Sequence, residues 1–325
     1  MASSKAPLHF SFGLIADIQY ADHDDRMNYQ QTQWRYYRNS LNHLQEAVYT
    51  WNSEENRNIE FVIQLGDLID GRNFEKGGTS ESNRALHVVS DAYKSFAGRI
   101  HHTWGNHELY NFTREQLFKT SLYSSPHRAT SDNKIAYYSF TPFDGYRFVI
   151  LDTFEISLIG SERGSPEFNK AVKILKNNKN EDKNSSIGIS GMDRRFMAFN
   201  GGVSEKQLLW LDGVLDEASR NGERIIISGH LPIYEPATES LCLLWNFDSM
   251  LDVIHKYKCV MAYISGHDHF GGYAVDEYGV HHVTMEGVIE IPPGSNAFAT
   301  VDMYQDRMML RGYGVVASRE MIFPK

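Results

Sequence analysis

Five strand-like segments of the sequence end in carboxylate, amide or imidazole side chains. The residues at these ends are Asp17, Asp67, Asn106 with His107, His230, and His267 with His269. Oxygen and nitrogen atoms of these types bind divalent cations, and in an open α/β sheet the ligand crevice lies outside the carboxyl ends of the strands. A single Asp after a strand is more often a helix cap or a turn residue. Five such ends in one chain predict a shared metal site.

These residues lie in five short motifs, and most of them follow a glycine. In chain order the motifs are D-x-Q (17–19), G-D-x-x-D (66–70), G-N-H-E (105–108), G-H (229–230) and G-H-D-H (266–269). The series resembles the signature of the calcineurin-like metallophosphoesterases, apart from Gln19, which stands where a histidine would complete D-x-H. The resemblance implies an α/β (α+β) fold, a four-layer α-β-β-α sandwich of two mixed sheets flanked by helices.

The resemblance also implies roles for the motif residues. The implied ligands are, for a first metal ion, Asp17, Gln19, Asp67 and His269, and, for a second ion, the bridging Asp67 with Asn106, His230 and His267. Two ions about 3.5–4 Å apart convert a bridging water into hydroxide and stabilise charge on phosphoryl oxygens. His107 is implied as a catalytic residue beside the phosphate, oriented by Asp70. In many relatives an arginine directly follows that aspartate, whereas here Gly71 follows and Arg72 comes next, so contact between Arg72 and phosphate stays open.

Longer stretches narrow the resemblance to one family. "QLGDLIDG", "HHTWGNHELYNF", "FNGGVSEKQLLWL" and "HHVTMEGVIE" are similar to the manganese-dependent ADP-ribose/CDP-alcohol diphosphatases, which also carry a glutamine in the first motif. This implies hydrolysis of a diphosphate bond by a dimetal-activated hydroxide: ADP-ribose to AMP and ribose 5-phosphate, and CDP-choline and other CDP-alcohols to CMP and a phosphoalcohol. It implies two divalent ions, with Mn²⁺ as the expected metal and Zn²⁺ or Mg²⁺ as other occupants.

The motifs alone leave other functions open. A cyclic-nucleotide phosphodiesterase or a phosphoprotein phosphatase uses the same metal core, and a non-catalytic scaffold is built on the same fold. A scaffold is expected to lose ligands or the motif histidine, whereas this chain keeps His107 and ligand-capable atoms throughout. Gln19 is a neutral oxygen donor in place of an imidazole. Because an oxygen-rich site suits harder cations, we hypothesise that Gln19 helps to set a preference for manganese.

A nucleotide substrate needs a surface for its base and sugar, and aromatic faces commonly provide one. The candidate substrate-binding residues near the motifs are Tyr29, Phe112, Phe196, Phe199, Asn200, Cys242 and Trp245. For each aromatic residue, ordinary packing in the core is an equally good interpretation. Cys242 is interpreted as pocket wall or core, because no basic neighbour in the sequence would activate its thiol.

Composition limits the class of partner and the compartment. The chain has 325 residues, a formal net charge of −9 and two cysteines. An acidic protein lacks the basic surface that nucleic acids and polybasic membrane sites require, and no window approaches a membrane-spanning length of apolar residues. Few cysteines and no recognisable signal peptide predict a cytoplasmic protein. The expected partner is a small nucleotide, and nothing implies a protein partner.

The elements that must position these residues alternate along the chain. Strand-like runs precede the motifs. The residues from about Gln30 to Trp51 have apolar side chains at helical spacing, which predicts a helix with Trp34, Tyr37 and Leu41 in the core. Ser204 is a plausible N-cap of an amphipathic helix. The last part alternates like antiparallel hairpins. No linker divides the chain, so residues 1–325 are predicted to be one domain. A polar insertion at about 162–200 is predicted to lie on the surface, as a mobile loop or as a lid.

Overall fold

Two six-stranded mixed sheets form the centre of the molecule. The computed structural model describes residues 7–53, 59–125 and 135–324. The strands are β1 Leu8–Ile15, β2 Arg26–Met27, β3 Trp34–Arg35, β4 Ile59–Gln64, β5 Arg99–His102, β6 Tyr138–Phe143, β7 Tyr146–Ile150, β8 Arg224–Ser228, β9 Val260–Ser265, β10 Gly272–Val275, β11 His281–Thr284, β12 Ala297–Tyr304, β13 Arg307–Gly314 and β14 Arg319–Ile322. The first sheet has the order β14-β13-β12-β1-β4-β5 and the second has the order β10-β11-β9-β8-β7-β6, while β2 and β3 form a separate hairpin.

Helices cover the outer faces of the two sheets. They are α1 Asn39–Ser53, α2 Arg72–Tyr93, α3 Asn106–Asn111, α4 Arg114–Leu117, α5 Pro166–Ile174, α6 Glu205–Asn221 and α7 Phe247–Ile254. Helix α1 contacts β12 of the first sheet, and α6 contacts β8 of the second. Helix α2 is kinked at Gly77 and Gly78, where the backbone leaves helical geometry.

The inner faces of the sheets meet in an aromatic core. Phe12 and Phe61 of the first sheet lie with ring centroids 5.1 and 5.0 Å from Phe148 of the second sheet, in edge-to-face geometry. Such pairs add about 0.5–1.5 kcal/mol to the stabilisation from burial alone. The parallel strands β1, β4 and β5 of one sheet, and β7, β8 and β9 of the other, are thereby held with their carboxyl ends at a common edge.

Most predicted elements are present, and one helix begins later than predicted. The run from about Gln30 includes the β2–β3 hairpin, and α1 begins only at Asn39. The Asn28 side chain closes the hairpin turn by accepting a hydrogen bond from the Thr32 amide at 2.9 Å, which competes with helix formation. The prediction of a core position for Trp34 is therefore wrong: half of this residue is exposed. Ser204 caps α6 as predicted, because its hydroxyl accepts from the Gln207 amide at 3.1 Å.

The polar insertion makes more buried contacts than its polar composition suggests. Its apolar ends supply Ala171, Leu175 and Phe196 to a small cluster with Trp245. Within the polar tract, the buried Asn178 side chain donates to the carbonyl of Phe196 at 3.0 Å. Asparagine side chains can thus hold a polar segment that has no core of its own. In the described residues, no helix combines the length and the apolar character needed to cross a bilayer.

Candidate metal centre

Loops from both sheets converge at the common edge. Asp17, Asp67 and Asn106 follow strands of the first sheet, whereas His230 and the 267–269 segment follow strands of the second. The backbone of His267 donates to Asp17 Oδ2 at 2.9 Å, which ties together residues 250 positions apart. The set predicted to bind metal is therefore brought together by the packing of the two sheets.

Four of these residues have unfavourable backbone conformations. Asp17, Gln19, Asp67 and His267 have φ angles of 53°, 43°, 57° and 71°. Each left-handed residue other than glycine costs about 1–3 kcal/mol, and such residues concentrate at functional sites. Their clustering here is an indication of function that no sequence motif provides.

One group comprises Asp67, Asn106, His230 and His267. Nε2 of His230 lies 3.2 Å from Asn106 Oδ1, 3.2 Å from His267 Nδ1 and 3.5 Å from Asp67 Oδ2. One ligand atom from each of Asp67, His230 and His267 lies within 4.8 Å of the others, the arrangement of a cation site. Asp67, Asn106 and His230 are buried, and His267 is partly buried.

The hydrogen-bond partners of the two imidazoles are those expected if this group binds a cation. Nδ1 of His230 donates to the Leu65 carbonyl at 2.7 Å, so in the neutral ring Nε2 carries a lone pair. The Asn200 amide donates to the carbonyls of Arg195 and Leu241, and its oxygen therefore accepts from His267 Nε2 at 2.8 Å. Nδ1 of His267 then also carries a lone pair. Two lone pairs 3.2 Å apart repel each other unless a cation lies between them.

The second group comprises Asp17, Gln19 and His269, with Asp67 shared. Nε2 of His269 lies 3.3 Å from Asp17 Oδ1 and 3.0 Å from the Gln19 amide nitrogen. That nitrogen donates to Asp67 Oδ2 at 3.1 Å. Gln19 Oε1 is buried and has no hydrogen-bond partner among the described residues, whereas the buried Asp17 Oδ1 is paired with His269. A half-turn of the Gln19 amide, whose oxygen and nitrogen are assigned from the network, presents the oxygen to an ion.

Glu290 is a site residue that sequence reasoning missed. Its carboxylate lies 3.0 Å from Nδ1 of His269, which leaves Nε2 to face Asp17. Burial lowers the pKa of His269, but the carboxylates of Asp17 and Glu290 outweigh it and raise the pKa to about 10. Glu290 follows no strand and belongs to no metal motif, so only its position in the fold identifies it.

Replacement of Glu290 by glutamine is expected to weaken Mn²⁺ binding about 10–100-fold, as loss of carboxylates behind histidine ligands typically does. The amide still accepts from His269 but no longer raises the basicity of its imidazole. Titration calorimetry with Mn²⁺ measures the effect. Glu286→Gln, which changes a carboxylate in the same segment, is the control and should bind as wild type; equal affinities for all three proteins would contradict the role of Glu290.

His107 stands at the edge of the two groups. Its Nδ1 lies 3.2 Å from Asp70 Oδ2 and 3.0 Å from the Gly71 amide, while its Nε2 lies 3.9 Å from Asp67 Oδ2. Burial disfavours the imidazolium, but the carboxylates of Asp67 and Asp70 outweigh it and raise the pKa of His107. Nδ1 donates to Asp70 when the ring is protonated and accepts from the Gly71 amide when Nδ1 carries no proton, and in both cases Nε2 is directed toward the centre.

Glu108 holds the loops of this centre in place. Its buried carboxylate accepts hydrogen bonds from the amides of Asp67, Leu68 and Gly105 at 2.7, 2.6 and 2.7 Å. A Cβ at position 105 would lie 2.1 Å from Asp67 Oδ1, which explains the glycine of the G-N-H-E motif. The fourth residue of that motif therefore supports the ligands from behind.

Two arginines near the motifs differ in their contacts. Nε of Arg72 donates to the Tyr37 hydroxyl at 3.1 Å, and Nη1 donates to Glu75 at 3.2 Å. Arg35, which sequence reasoning missed, lies 3.9 Å from Asp70 Oδ2 and 3.6 Å from Glu290 Oε1, and its buried Nε has no hydrogen-bond partner. Arg35 is therefore the cation between the carboxylates behind His107 and His269.

The predicted substrate-binding residues divide into those near the centre and those away from it. The Phe199 ring lies 5.7 Å from the His267 ring, so it borders the centre. Cys242 is half-buried, and burial raises the pKa of its thiol, which favours a wall position over a reactive one. Tyr29 is 88% exposed on the β2–β3 hairpin. The buried Phe112 lines a cleft of about 1030 Å³ that Tyr110 and Arg114 also line.

The contacts of three other candidates favour structural roles. The amide of Asn200 is fully engaged by Arg195, Leu241 and His267, so it holds His267 and has no free group for a substrate. Phe196 and Trp245 are buried together in the cluster of the insertion. For these three residues, packing and positioning explain the side chains better than substrate contact does.

Comparison with known proteins identifies the family. A model of the calcineurin-like phosphoesterase family matches residues 10–271. The chain belongs to this family. The match and the two mixed sheets flanked by helices confirm the fold class predicted from the motifs. The matched range includes all of the predicted ligands of this calcineurin-like phosphoesterase.

Relatives narrow the comparison. This phosphoesterase is 43% identical over 334 residues to the manganese-dependent ADP-ribose/CDP-alcohol diphosphatase of Mus musculus, covering 100% of this chain and 96% of the relative. It is 44% identical to the protein of the same name from Homo sapiens, covering 97% and 93%. The crystal structure of a dimetal phosphatase from Danio rerio aligns with a TM-score of 0.93 at 42% identity, covering 98% of this chain and 100% of that one. The narrower resemblance predicted from sequence is thereby confirmed.

Proposed function

We propose that this protein hydrolyses the diphosphate bond of nucleoside diphosphates linked to a sugar or an alcohol, with two Mn²⁺ ions. ADP-ribose would yield AMP and ribose 5-phosphate, and CDP-choline and other CDP-alcohols would yield CMP and a phosphoalcohol. The observation that carries the proposal is identity of 43–44% over nearly the whole chain to proteins named for these substrates. The converging donor set at the sheet edge supplies the chemistry that the proposal needs.

The proposed ligands are those predicted from the motifs. One ion would be held by Asp17, Gln19, Asp67 and His269, and the other by Asp67, Asn106, His230 and His267. When bound, two divalent ions lower the pKa of an attacking water and neutralise charge on the phosphoryl oxygens. The buried Gln19 oxygen, which has no hydrogen-bond partner among the described residues, and the ring nitrogens of His230 and His267 that face each other at 3.2 Å support this assignment.

The remaining steps fall to side chains of this chain. His107 Nε2, which has no hydrogen-bond partner among the described residues, would donate a proton to the departing phosphate oxygen, and Asp70 would orient the ring through Nδ1. Arg35, whose ion pairs with Asp70 and Glu290 are 3.9 and 3.6 Å long, would contact a phosphate oxygen. Phe199 and Cys242 would border the nucleoside. We assign the activity to the cytoplasm, which is consistent with the free thiols of Cys242 and Cys259.

The experiment that tests the proposal is a substrate profile of the purified protein. Release of AMP from ADP-ribose and of CMP from CDP-choline would be measured with Mn²⁺, Mg²⁺ and Zn²⁺, beside cyclic AMP and a phosphopeptide. Hydrolysis of ADP-ribose or CDP-choline that is fastest with Mn²⁺ supports the proposal. Turnover of cyclic AMP or phosphopeptide with no AMP from ADP-ribose would overturn it, and absence of turnover together with absence of Mn²⁺ binding would indicate a scaffold.

Replacement of Gln19 by histidine is expected to shift the metal preference from Mn²⁺ toward Zn²⁺ by about tenfold or more, because imidazole replaces a neutral oxygen donor and softer donors favour zinc. The measurement is kcat with ADP-ribose across titrations of both ions. Gln31→His is the matched control, since Gln31 also has a left-handed backbone (φ 59°) but lies on the exposed hairpin turn. An unchanged metal preference in Gln19→His would exclude a role for Gln19 in metal choice.

A further inference from the structure

The position after Asp70 differs from the pattern of many relatives, and the structure shows what lies there. Gly71 caps the start of α2 with φ −59° and ψ −20°, a conformation that any residue adopts. A Cβ at this position would nevertheless lie 3.1 Å from Cδ2 and 3.2 Å from Cβ of Tyr110. A side chain at position 71 would thus displace Tyr110 by a few tenths of an ångström, so the Tyr110 contact and not the backbone favours glycine.

Tyr110 is also in contact with His107. The two residues are three positions apart on α3, so they lie on one face of the helix, and their rings meet edge to face with centroids 5.1 Å apart at 71°. The Gly71 amide approaches Nδ1 of His107 at 3.0 Å. The Tyr110 ring thus lies against both the imidazole and the backbone that contacts it, and 37% of the residue is exposed.

We infer that Tyr110 is a positioning residue that holds the His107 ring with Nε2 toward the reacting phosphate. Either Asp70 or the Gly71 amide engages Nδ1, according to whether that nitrogen carries a proton, but a contact at one atom leaves the ring free to tilt about it. The aromatic ring of Tyr110 blocks that tilt. Because Gly71 has no side chain, it leaves room for the Tyr110 ring. The inference rests on the proposed function, because it assumes that His107 protonates the leaving group.

Tyr110→Leu is expected to lower kcat for ADP-ribose by about tenfold, since a misdirected imidazole forfeits part of the ~10²–10⁴-fold contribution of a general acid. Tyr110→Phe keeps the ring and should restore kcat to within about threefold of wild type. Gly71→Ala displaces the ring by a few tenths of an ångström and should show a smaller loss of the same kind. Tyr49→Leu, at an exposed tyrosine of α1, is the control.

A second substrate separates positioning from general damage. The p-nitrophenyl ester of thymidine 5′-monophosphate releases a stable phenolate that needs no proton, so Tyr110→Leu should affect its hydrolysis by less than about threefold. Tyr110→Leu should also add no further loss to His107→Ala on ADP-ribose. Any of three results would overturn the inference: Tyr110→Leu lowers kcat equally for both substrates, the losses of kcat are additive in the double variant, or Tyr110→Phe lowers kcat as much as Tyr110→Leu does. The last outcome would assign the effect to the hydroxyl, which interacts with Asn106.

A spectroscopic readout keeps the inference distinct from the proposed function. If wild type releases no AMP from ADP-ribose, the proposed function fails, and the ¹⁵N NMR signals of the His107 ring in the Mg²⁺-loaded protein then decide the inference. Changed ring signals in Tyr110→Leu, with wild-type signals in Tyr110→Phe, would support it. Unchanged signals in Tyr110→Leu would overturn it. His107→Ala assigns the signals, and thermal unfolding of each variant shows that the fold is retained.

Discussion

Replacement of Asp67 by alanine is expected to lower kcat for ADP-ribose by about a thousandfold or more, since several kcal/mol of charge stabilisation is lost and about 1.4 kcal/mol corresponds to a factor of ten. Asp67 Oδ2 lies 3.1 Å from the Gln19 amide on one side and 3.5 Å from His230 Nε2 on the other. It therefore belongs to both proposed ion sites, and its removal weakens both at once. Steady-state kinetics and metal analysis after dialysis provide the measurements.

Asp268→Asn is the matched control for this prediction. Asp268 lies between two proposed ligands in sequence, but its carboxylate accepts hydrogen bonds from Thr238 Oγ1 at 2.8 Å and the Glu239 amide at 2.7 Å. It is thus directed away from the centre, and its variant should keep the wild-type metal content. Two equivalents of Mn²⁺ retained by Asp67→Ala would refute the bridging role.

Replacement of His107 by alanine is expected to lower kcat for ADP-ribose by about 10²–10⁴-fold, the range that a general acid contributes. Mn²⁺ affinity should change little, because Nε2 of His107 lies 3.9 Å from the nearest oxygen of Asp67 and the ring is not among the proposed ligands. Kinetics and Mn²⁺ calorimetry on the same preparation separate the two effects. His87→Ala, at an exposed histidine of α2, is the control. A loss of metal equal to the loss of rate would place His107 among the ligands instead.

Local sequence patterns were sufficient for the parts of the centre that follow strands. A buried apolar run ending in Gly and a donor residue predicts both the strand and the edge at which the donor lies, and this holds for Asp67, His230 and His267. The D-x-Q motif also follows a buried apolar run, although Ala16 and not a glycine precedes Asp17. Patterns failed where several local preferences compete, as at Trp34, whose apolar spacing suggested a helix although the Asn28 turn forms a hairpin.

The supporting residues could not be predicted from sequence, because their roles arise from contacts between distant segments. Glu290 reaches His269 from a short 3₁₀ turn, and Arg35 approaches Asp70 from the hairpin that was mistaken for helix. Tyr110 is within α3, yet its importance appears only when α2 places Gly71 against it. The roles of the motif residues themselves depended on a family resemblance, since spacing alone does not separate one metal ion from two.

The division of the donor set between the two sheets has a consequence for folding. Asp17, Asp67 and Asn106 belong to one half of the sandwich and His230, His267 and His269 to the other, so a bound ion connects the halves as a non-covalent cross-link. Ions that bind the folded chain alone raise the free energy of unfolding by RT ln(1 + [ion]/Kd). The four left-handed backbone conformations lower the free energy of unfolding. With the proposed ligands, metal supply would therefore affect the stability of the protein as well as its turnover, and both sheets would have to pack together before an ion finds its full set of donors.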